Sequence, residues 1–245
     1  LKNHSFPAGK QRFLAEPLPH MQKKTDMELK IDSEDLEQML LKIEDSFDIR
    51  FETNELAHVR TYGEFCDAIK GKISLDHSED CTTQQAFYKL REAITKSTET
   101  EKREITTTTE LAEIFPRKTR KNQIKTLEMN LGFKLSILRP PHFVTGFLAI
   151  LLLASFIVLF IDWPYGLIGL GLSIGGFRIS NKLGNELDVN TVRDLSEKMT
   201  REYYVKSRRN STTMNKNEFD EILEDWFVNF LGVRKSELTR EARLF

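Results

Sequence analysis

The chain of 245 residues carries 36 Lys and Arg against 37 Asp and Glu, a formal net charge of -1, with 40% hydrophobic and 30% charged residues. That leaves room for one or two small domains and no global positive field of the kind that marks a nucleic-acid binder. Two cysteines, Cys66 and Cys81, without a CxxC or a companion His cluster, exclude a disulfide framework or zinc site as the natural reading and point to reduced thiols in a cytoplasmic setting.

Residues 1–28 hold Pro7, Gly9, Pro17 and Pro19 with little periodicity, which predicts an irregular arm with one short helix around Gln11 to Ala15. From Leu36 the pattern changes. Leu36, Met39, Leu40, Ile43 and Phe47 recur at helical spacing with Glu34, Asp35, Glu37, Glu44 and Asp45 on other faces, so an acidic amphipathic helix is expected. Asp32-Ser33 stands at its start, where either side chain can accept from the free amides of the first turn. Phe47-Asp48-Ile49-Arg50-Phe51 follows, then a loop with Asn54-Glu55-Leu56, then Thr61-Tyr62-Gly63-Glu64-Phe65 leading into a last helix through Ala68 and Ile69.

This order of landmarks over residues 29–73 resembles the acyl carrier protein family, in which the serine of an Asp-Ser-Leu motif opens the second helix and carries 4'-phosphopantetheine. The spacing from Asp32-Ser33 to Phe47 is the one the family uses, with Glu34 in place of the Leu. Asp45-Ser46-Phe47-Asp48-Ile49 stands for the family's Glu-Glu-Phe-Gly-Ile helix end, and Thr61-Tyr62-Gly63-Glu64 for its Thr-Val-Gly-Asp segment. The resemblance implies that Ser33 binds 4'-phosphopantetheine covalently. It also implies that Glu34, Asp35 and Glu37 dock basic partners, a phosphopantetheinyl transferase and acyl-transferring enzymes among them. Taken alone, the residues also support a second reading, in which Ser33 is only a helix N-cap worth about 1 kcal/mol.

Residues 81–138 predict a helical linker. Cys81 to Ile94 presents Ala86, Phe87, Leu90 and Ile94, and Thr109, at the end of a threonine run, is the expected cap of a helix through Leu111, Ile114 and Phe115 that Pro116 stops. Arg117, Lys118, Arg120, Lys121 and Lys125 then form a basic cluster leading into Ile124, Leu127, Leu131 and Phe133. A solvated helix face that sets membrane topology is the first reading of this cluster, and attraction to anionic headgroups is compatible with it. Nucleic-acid binding is not expected, because the segment lacks a broad basic face.

Phe143 to Ile161 runs without a charge, and a helix of about 20 residues crosses the ~30 Å hydrocarbon core of a bilayer. Asp162-Trp163-Pro164-Tyr165 breaks the run, and a second, glycine-rich apolar piece extends to Ile179, so a transmembrane helical hairpin over 143–179 is expected. The shorter second arm also fits a one-pass or re-entrant form. Gly171 and Gly175 have the GxxxG spacing that lets helices approach closely. Lys and Arg flank the stretch on both sides and are missing from its turn, which places both soluble ends in the cytoplasm, as for an integral protein of a bacterial inner membrane.

In residues 185–245, Phe219, Ile222, Leu223, Trp226, Phe227, Phe230 and Leu231 form an apolar helical stripe closed by Gly232. Residues 231–242 look like the carrier family's first helix end and its outgoing loop, and residues 185–199 echo residues 54–69 around a shared Thr. Two arrangements fit: the C-terminal helices complete the N-terminal fold, or they belong to a second carrier-like unit without a serine motif. The apolar stripe favours the first, since it must be buried somewhere.

The expected fold class is all-α, an acyl-carrier-like helical bundle plus additional soluble helices and a transmembrane helical hairpin. The expected function is a membrane-anchored acyl carrier-like protein for acyl or lipid metabolism, not itself an enzyme and without a metal. A non-catalytic membrane scaffold with an unmodified carrier fold is the alternative.

Overall fold

Asp32 ends an extended segment and starts the first helix: at φ -65° and ψ 134° its carboxylate accepts from the Glu34 amide at 2.8 Å. The structure is a computed structural model and describes residues 28–245, so the short helix expected around Gln11 lies outside the described residues. In chain order the helices are α1 (Ser33–Phe47), α2 (Tyr62–Lys72), α3 (Thr82–Ser97), α4 (Leu111–Ile114), α5 (Arg120–Leu131), α6 (His142–Ile161), α7 (Trp163–Leu183), α8 (Val192–Glu202), α9 (Tyr204–Ser207) and α10 (Phe219–Leu231). Strands are minor. β1 (Asp76–His77) pairs in parallel with β4 (Thr213–Met214), and β2 (Leu138–Arg139) pairs antiparallel with β3 (Glu186–Leu187). The class is all-α, as the periodicities predict.

The chain divides into two units, the first made of the described residues up to Ala86 together with Ser196–Phe245, the second of Phe87–Leu195. In the first unit, α1 buries Leu36, Met39, Leu40, Ile43 and Phe47 against Tyr62, Phe65 and Ile69 of α2 and Phe219, Leu223, Trp226 and Phe227 of α10. Aromatic rings close the contacts. Phe47 stacks on Tyr204 with centroids 4.9 Å apart, and Phe227 meets Tyr62 edge-on at 4.9 Å and Phe65 at 5.5 Å. The C-terminal stripe therefore lies in the same core as the N-terminal helices, because burying rings of this size removes 150–250 Å² each from water, by typical values.

The last residues of the chain bind that core together. Leu29 and Ile31 amides donate to the carbonyls of Arg243 and Leu244, while the Tyr62 and Gly63 amides donate to those of Ala242 and Arg240. Residues 240–244 thus run between the strand-like approach to α1 and the start of α2. Gly63 makes room for them: a Cβ there would lie 2.7 Å from the Arg240 carbonyl oxygen.

The second unit repeats this hydrogen-bond pattern. Thr61 and Glu64 form a reciprocal capping box at α2, and Thr191 and Asp194 form the same box at α8. Thr61 bridges Arg243 antiparallel and Thr191 bridges Glu110 antiparallel. Leu244 donates to the Arg60 carbonyl and Leu111 to that of Asn190; Tyr62 donates to Ala242 and Val192 to Thr109; Gly63 donates to Arg240 and Arg193 to Thr107. Beyond α1, Asp48 takes a left-handed conformation (φ 55°), and beyond α5, Gly132 does (φ 81°), their amides donating to Glu44 and Glu128 carbonyls. The order differs: residues 107–111 precede α5 in the chain, whereas their counterparts 240–244 come last. Where the first unit has the connection 49–60, the second has residues 133–190, which contain α6 and α7.

α6 and α7 pack antiparallel. A Cβ on Gly166 would strike the Leu159 backbone, one on Gly169 the Ser155 side chain, and one on Gly176 the Leu148 side chain at 2.6 Å. Gly166, Gly169, Ser173 and Gly176 share one helix face by their spacing, and Ser173 is buried. The expected GxxxG pair is not the contact. Gly171 and Gly175 face open space, because the seam follows the neighbouring stripe. The second arm is also longer than expected, 21 residues ending at Leu183. Among the described residues, α6 is the one helix both long and apolar enough to cross a membrane. At the α4 start the expected cap differs too: Glu110 occupies the N-cap, and the Thr109 hydroxyl instead donates to the Glu104 carbonyl at 3.1 Å.

Candidate functional site

The candidate site is the exposed start of α1. Asp32 takes the cap, which leaves Ser33 as the first helical residue, exposed and without a hydrogen-bonded partner for its hydroxyl among the described residues. The alternative role of Ser33 as the N-cap is thereby filled by its neighbour. One covalent turn of chain decides this: the cap residue needs extended backbone, which Asp32 has, while Ser33 already follows the helix.

Ser33 is held from behind. Ile31 is buried, and the amides of Leu29 and Ile31 are bonded to the C-terminal segment, so the serine sits at the edge of a fixed core rather than on a free loop. Glu34 and Asp35 are exposed beside it and Glu37 is half-buried one turn on, giving an acidic surface at a helix N-terminus that favours negative groups. The inward face of the same turn carries Leu36, fully buried.

Other polar residues of the first unit serve its packing. Ser46 is buried and joins two parts of the unit, donating to the Arg201 carbonyl at 2.5 Å and accepting from the Tyr204 amide at 3.0 Å. Glu44 is 1% exposed, and its carboxylate accepts from the Phe51 amide at 2.7 Å. Cys66 is buried beside Tyr62. Burial pushes its thiol up to about 11, and burial likewise raises the Tyr62 phenol far above its ordinary range. Cys81 is exposed.

Residues 240–244, which fix the approach to Ser33, carry no chemical motif and were not predicted as part of the site. Beyond the loop resemblance of residues 231–242, their sequence signal is the alternation of apolar Ala242 and Leu244 with charged Arg243, and the structure buries the first two and exposes the third. A concavity of the first unit, about 180 Å³, is lined by Cys81, Arg201, Glu218, Glu221 and Asp225 among others. Its carboxylates are Glu197 of α8, Glu218 at the cap of α10, and Glu221 and Asp225 one turn apart on α10. No group of three or more potential metal ligands occurs among the described residues.

The register that equates Glu44 with Glu128 and Asp48 with Gly132 places Arg117 where the first unit has Ser33, and Lys118 where it has Glu34. The second unit keeps the hydrogen-bond frame but has no hydroxyl at that position. The basic cluster is also less uniform than a solvated face: Arg120 is 6% exposed and donates to the Phe115 and Asn185 carbonyls at 2.9 and 2.6 Å. No family model, no curated protein and no solved structure matches the chain.

Proposed function

We propose that the chain is a membrane-anchored acyl carrier-like protein in which Ser33 accepts 4'-phosphopantetheine and α6 and α7 form a transmembrane hairpin with both soluble ends in the cytoplasm. The observation that carries this reading is the division of labour at α1, where Asp32 caps the helix and leaves the Ser33 hydroxyl exposed and unengaged. The residues fit the group. A phosphodiester on Ser33 Oγ would lie at the N-terminal amides of α1, where a helix favours anions. Forming it from coenzyme A joins Ser33 Oγ to the pantetheine phosphate, breaks the pyrophosphate bond and releases the serine proton with the nucleotide. When attached, the arm supplies a thiol that carries acyl groups as thioesters.

This chain's own part is to hold and present. Ile31 and residues 240–244 fix the serine's position, and Glu34, Asp35 and Glu37 offer an acidic docking surface to a phosphopantetheinyl transferase and to acyl-transferring enzymes. The membrane half of the reading rests on α6, whose Phe143, Phe147, Ile150, Leu153, Ile157, Phe160 and Ile161 side chains are each about two-thirds or more exposed. Outside a bilayer, an apolar surface of this extent is a strong liability.

A non-catalytic scaffold is the second reading, and Arg117 favours it: the second unit keeps the same frame without an acceptor hydroxyl, so the frame has a use apart from a prosthetic group. Intact mass decides between them. The full chain, coexpressed with a phosphopantetheinyl transferase, is expected to gain the mass of one phosphopantetheine, and Ser33→Ala to gain none. An unmodified mass with excess transferase and coenzyme A overturns the carrier reading and leaves the scaffold.

A further inference from the structure

The first turn of α5 is tied to the end of α7. Lys121 Nζ donates to the Leu183 carbonyl at 2.6 Å, Arg120 donates to the Asn185 carbonyl at 2.6 Å, and Asn185 Nδ2 donates back to the Arg117 carbonyl at 2.8 Å. Cations therefore gather where the chain leaves α7. Some are neutralised: Glu186 pairs with Arg117 and lies 3.9 Å from Arg120, and Asp188 pairs with Arg139. Lys118, Lys121, Arg178 and Lys182 have no carboxylate partner among the described residues.

Arg178 is the telling member. A helix rises 1.5 Å per residue, so about 24 Å of α7 separates Arg178 from Asp162, where α6 and α7 meet. With Asp162 at one surface of a hydrocarbon layer ~30 Å thick, the Arg178 backbone lies roughly 6 Å inside the other. Its side chain is long enough to reach the headgroup level, where a guanidinium needs an anion. Ile179 and Leu183, 61% and 63% exposed on the same turn, offer apolar surface for acyl chains beside the charge.

We infer that Arg178 and Lys182, with Lys118 and Lys121 of α5, form a collar that binds the phosphates of anionic phospholipids at the root of the α6–α7 pair. The inference rests on the membrane-spanning reading of that pair. The guanidinium suits a phosphate because its planar donors can meet two oxygens at once. A cation near an anionic surface contributes on a scale that makes each removal worth roughly five-fold in affinity. Mere topology-setting charges would show no preference among lipids once the protein is out of the membrane.

The test is native mass spectrometry of the full chain in mild detergent, titrated with phosphatidylglycerol or with phosphatidylcholine. Phosphatidylglycerol is expected to be retained preferentially. The Arg178→Gln, Lys182→Gln double variant is expected to lose roughly twenty-five-fold in apparent affinity, from two cations at five-fold each. The charge-keeping Arg178→Lys, Lys182→Arg variant is expected to fall between the parent and the neutralised variant, since it keeps both charges and loses only the two-oxygen fork at position 178, and the Lys216→Gln control in the first unit is expected to behave like the parent. Equal retention of the two lipids by the parent, or full retention by the neutralised variant, overturns the collar. Displacement of phosphatidylglycerol by excess inorganic phosphate overturns its assignment to lipid. Carbonate extraction separates the two failures: release of the chain from membranes sinks the membrane reading itself, whereas a pelleted chain with no lipid preference sinks the collar alone.

Discussion

The Glu44 carboxylate reaches past the end of its own helix to accept the amide of Phe51 at 2.7 Å, and Glu128 does the same for Leu135 at 2.8 Å, each across seven residues. The two glutamates hold the same turn in two units: a left-handed residue closes the helix, and the chain then continues extended with Ile49 and Phe51, or Phe133 and Leu135, buried.

Removing this acceptor leaves a buried amide without a partner, which costs about 1–3 kcal/mol. Glu44→Ala is expected to lower the stability of the first unit by that amount and Glu44→Gln, which keeps a carbonyl oxygen, by less. Urea unfolding followed by Trp226 fluorescence in a Trp163→Phe background measures it. An unchanged midpoint for the alanine variant would remove the glutamate from the frame.

Asp32 and Ser33 separate by their roles. Asp32→Ala is expected to cost about 1 kcal/mol, the usual worth of an N-cap, while Ser33→Ala stays within about 0.5 kcal/mol. The same unfolding assay reads both, and a larger loss at Ser33 than at Asp32 would make the serine the cap.

Two glycines of α2 predict opposite signs. At Gly63 a Cβ would sit 2.7 Å from the Arg240 carbonyl oxygen, whereas Gly71 faces open space. Gly63→Ala is expected to destabilise by about 1–3 kcal/mol through overpacking. Gly71→Ala is expected to be neutral or to stabilise by up to about 1 kcal/mol, because alanine is the better helix former. Faster proteolysis at residues 240–244 in the first variant would report the displaced segment.

Alkaline pH should weaken the first unit through Cys66, whose thiol burial raises from 9.0 to about 11. Below pH 9.0 both states keep the proton, and the contribution is complete. Between there and about 11 the unfolded chain loses a proton that the folded chain retains, so stability falls as pH rises, by up to roughly 2–3 kcal/mol. Cys66→Ala is expected to flatten this limb of the stability profile. In the native parent a thiol reagent should modify Cys81 and spare Cys66, and rapid reaction of both would contradict the burial.

In the α6–α7 pair, Gly176→Leu is expected to lower the thermal midpoint in detergent by several degrees, since it forces the helices apart at Leu148, and Gly171→Leu to leave it unchanged. The reverse order would restore the GxxxG pair as the contact.

Much of the secondary structure was legible before any tertiary information. The apolar spacing of Leu36 to Phe47 and of Phe219 to Leu231, the start of α1 at Asp32-Ser33, the stop at Gly232, and the uncharged run of α6 are local signals, carried by side chains a turn apart. The choice between Asp32 and Ser33 as cap was not legible, because both side chains can accept and only the backbone angles distinguish them. Thr109 misled for a similar reason: its hydroxyl found the Glu104 carbonyl instead of a helix amide.

The sequence by itself determined where the most strongly periodic helices form, which of their faces are apolar and where a membrane-length segment lies, since propensity, periodicity and capping act within a few residues. Only the tertiary structure decided that residues 240–244 run between the approach to Ser33 and the start of α2, and that residues 107–111 do the same work in the second unit. Those ties are made by backbone amides and carbonyls, which every residue possesses, across as many as 214 positions from Leu29 to Arg243. A contact made by groups common to all residues leaves almost no mark in the order of side chains, so it becomes visible only when the chain is folded.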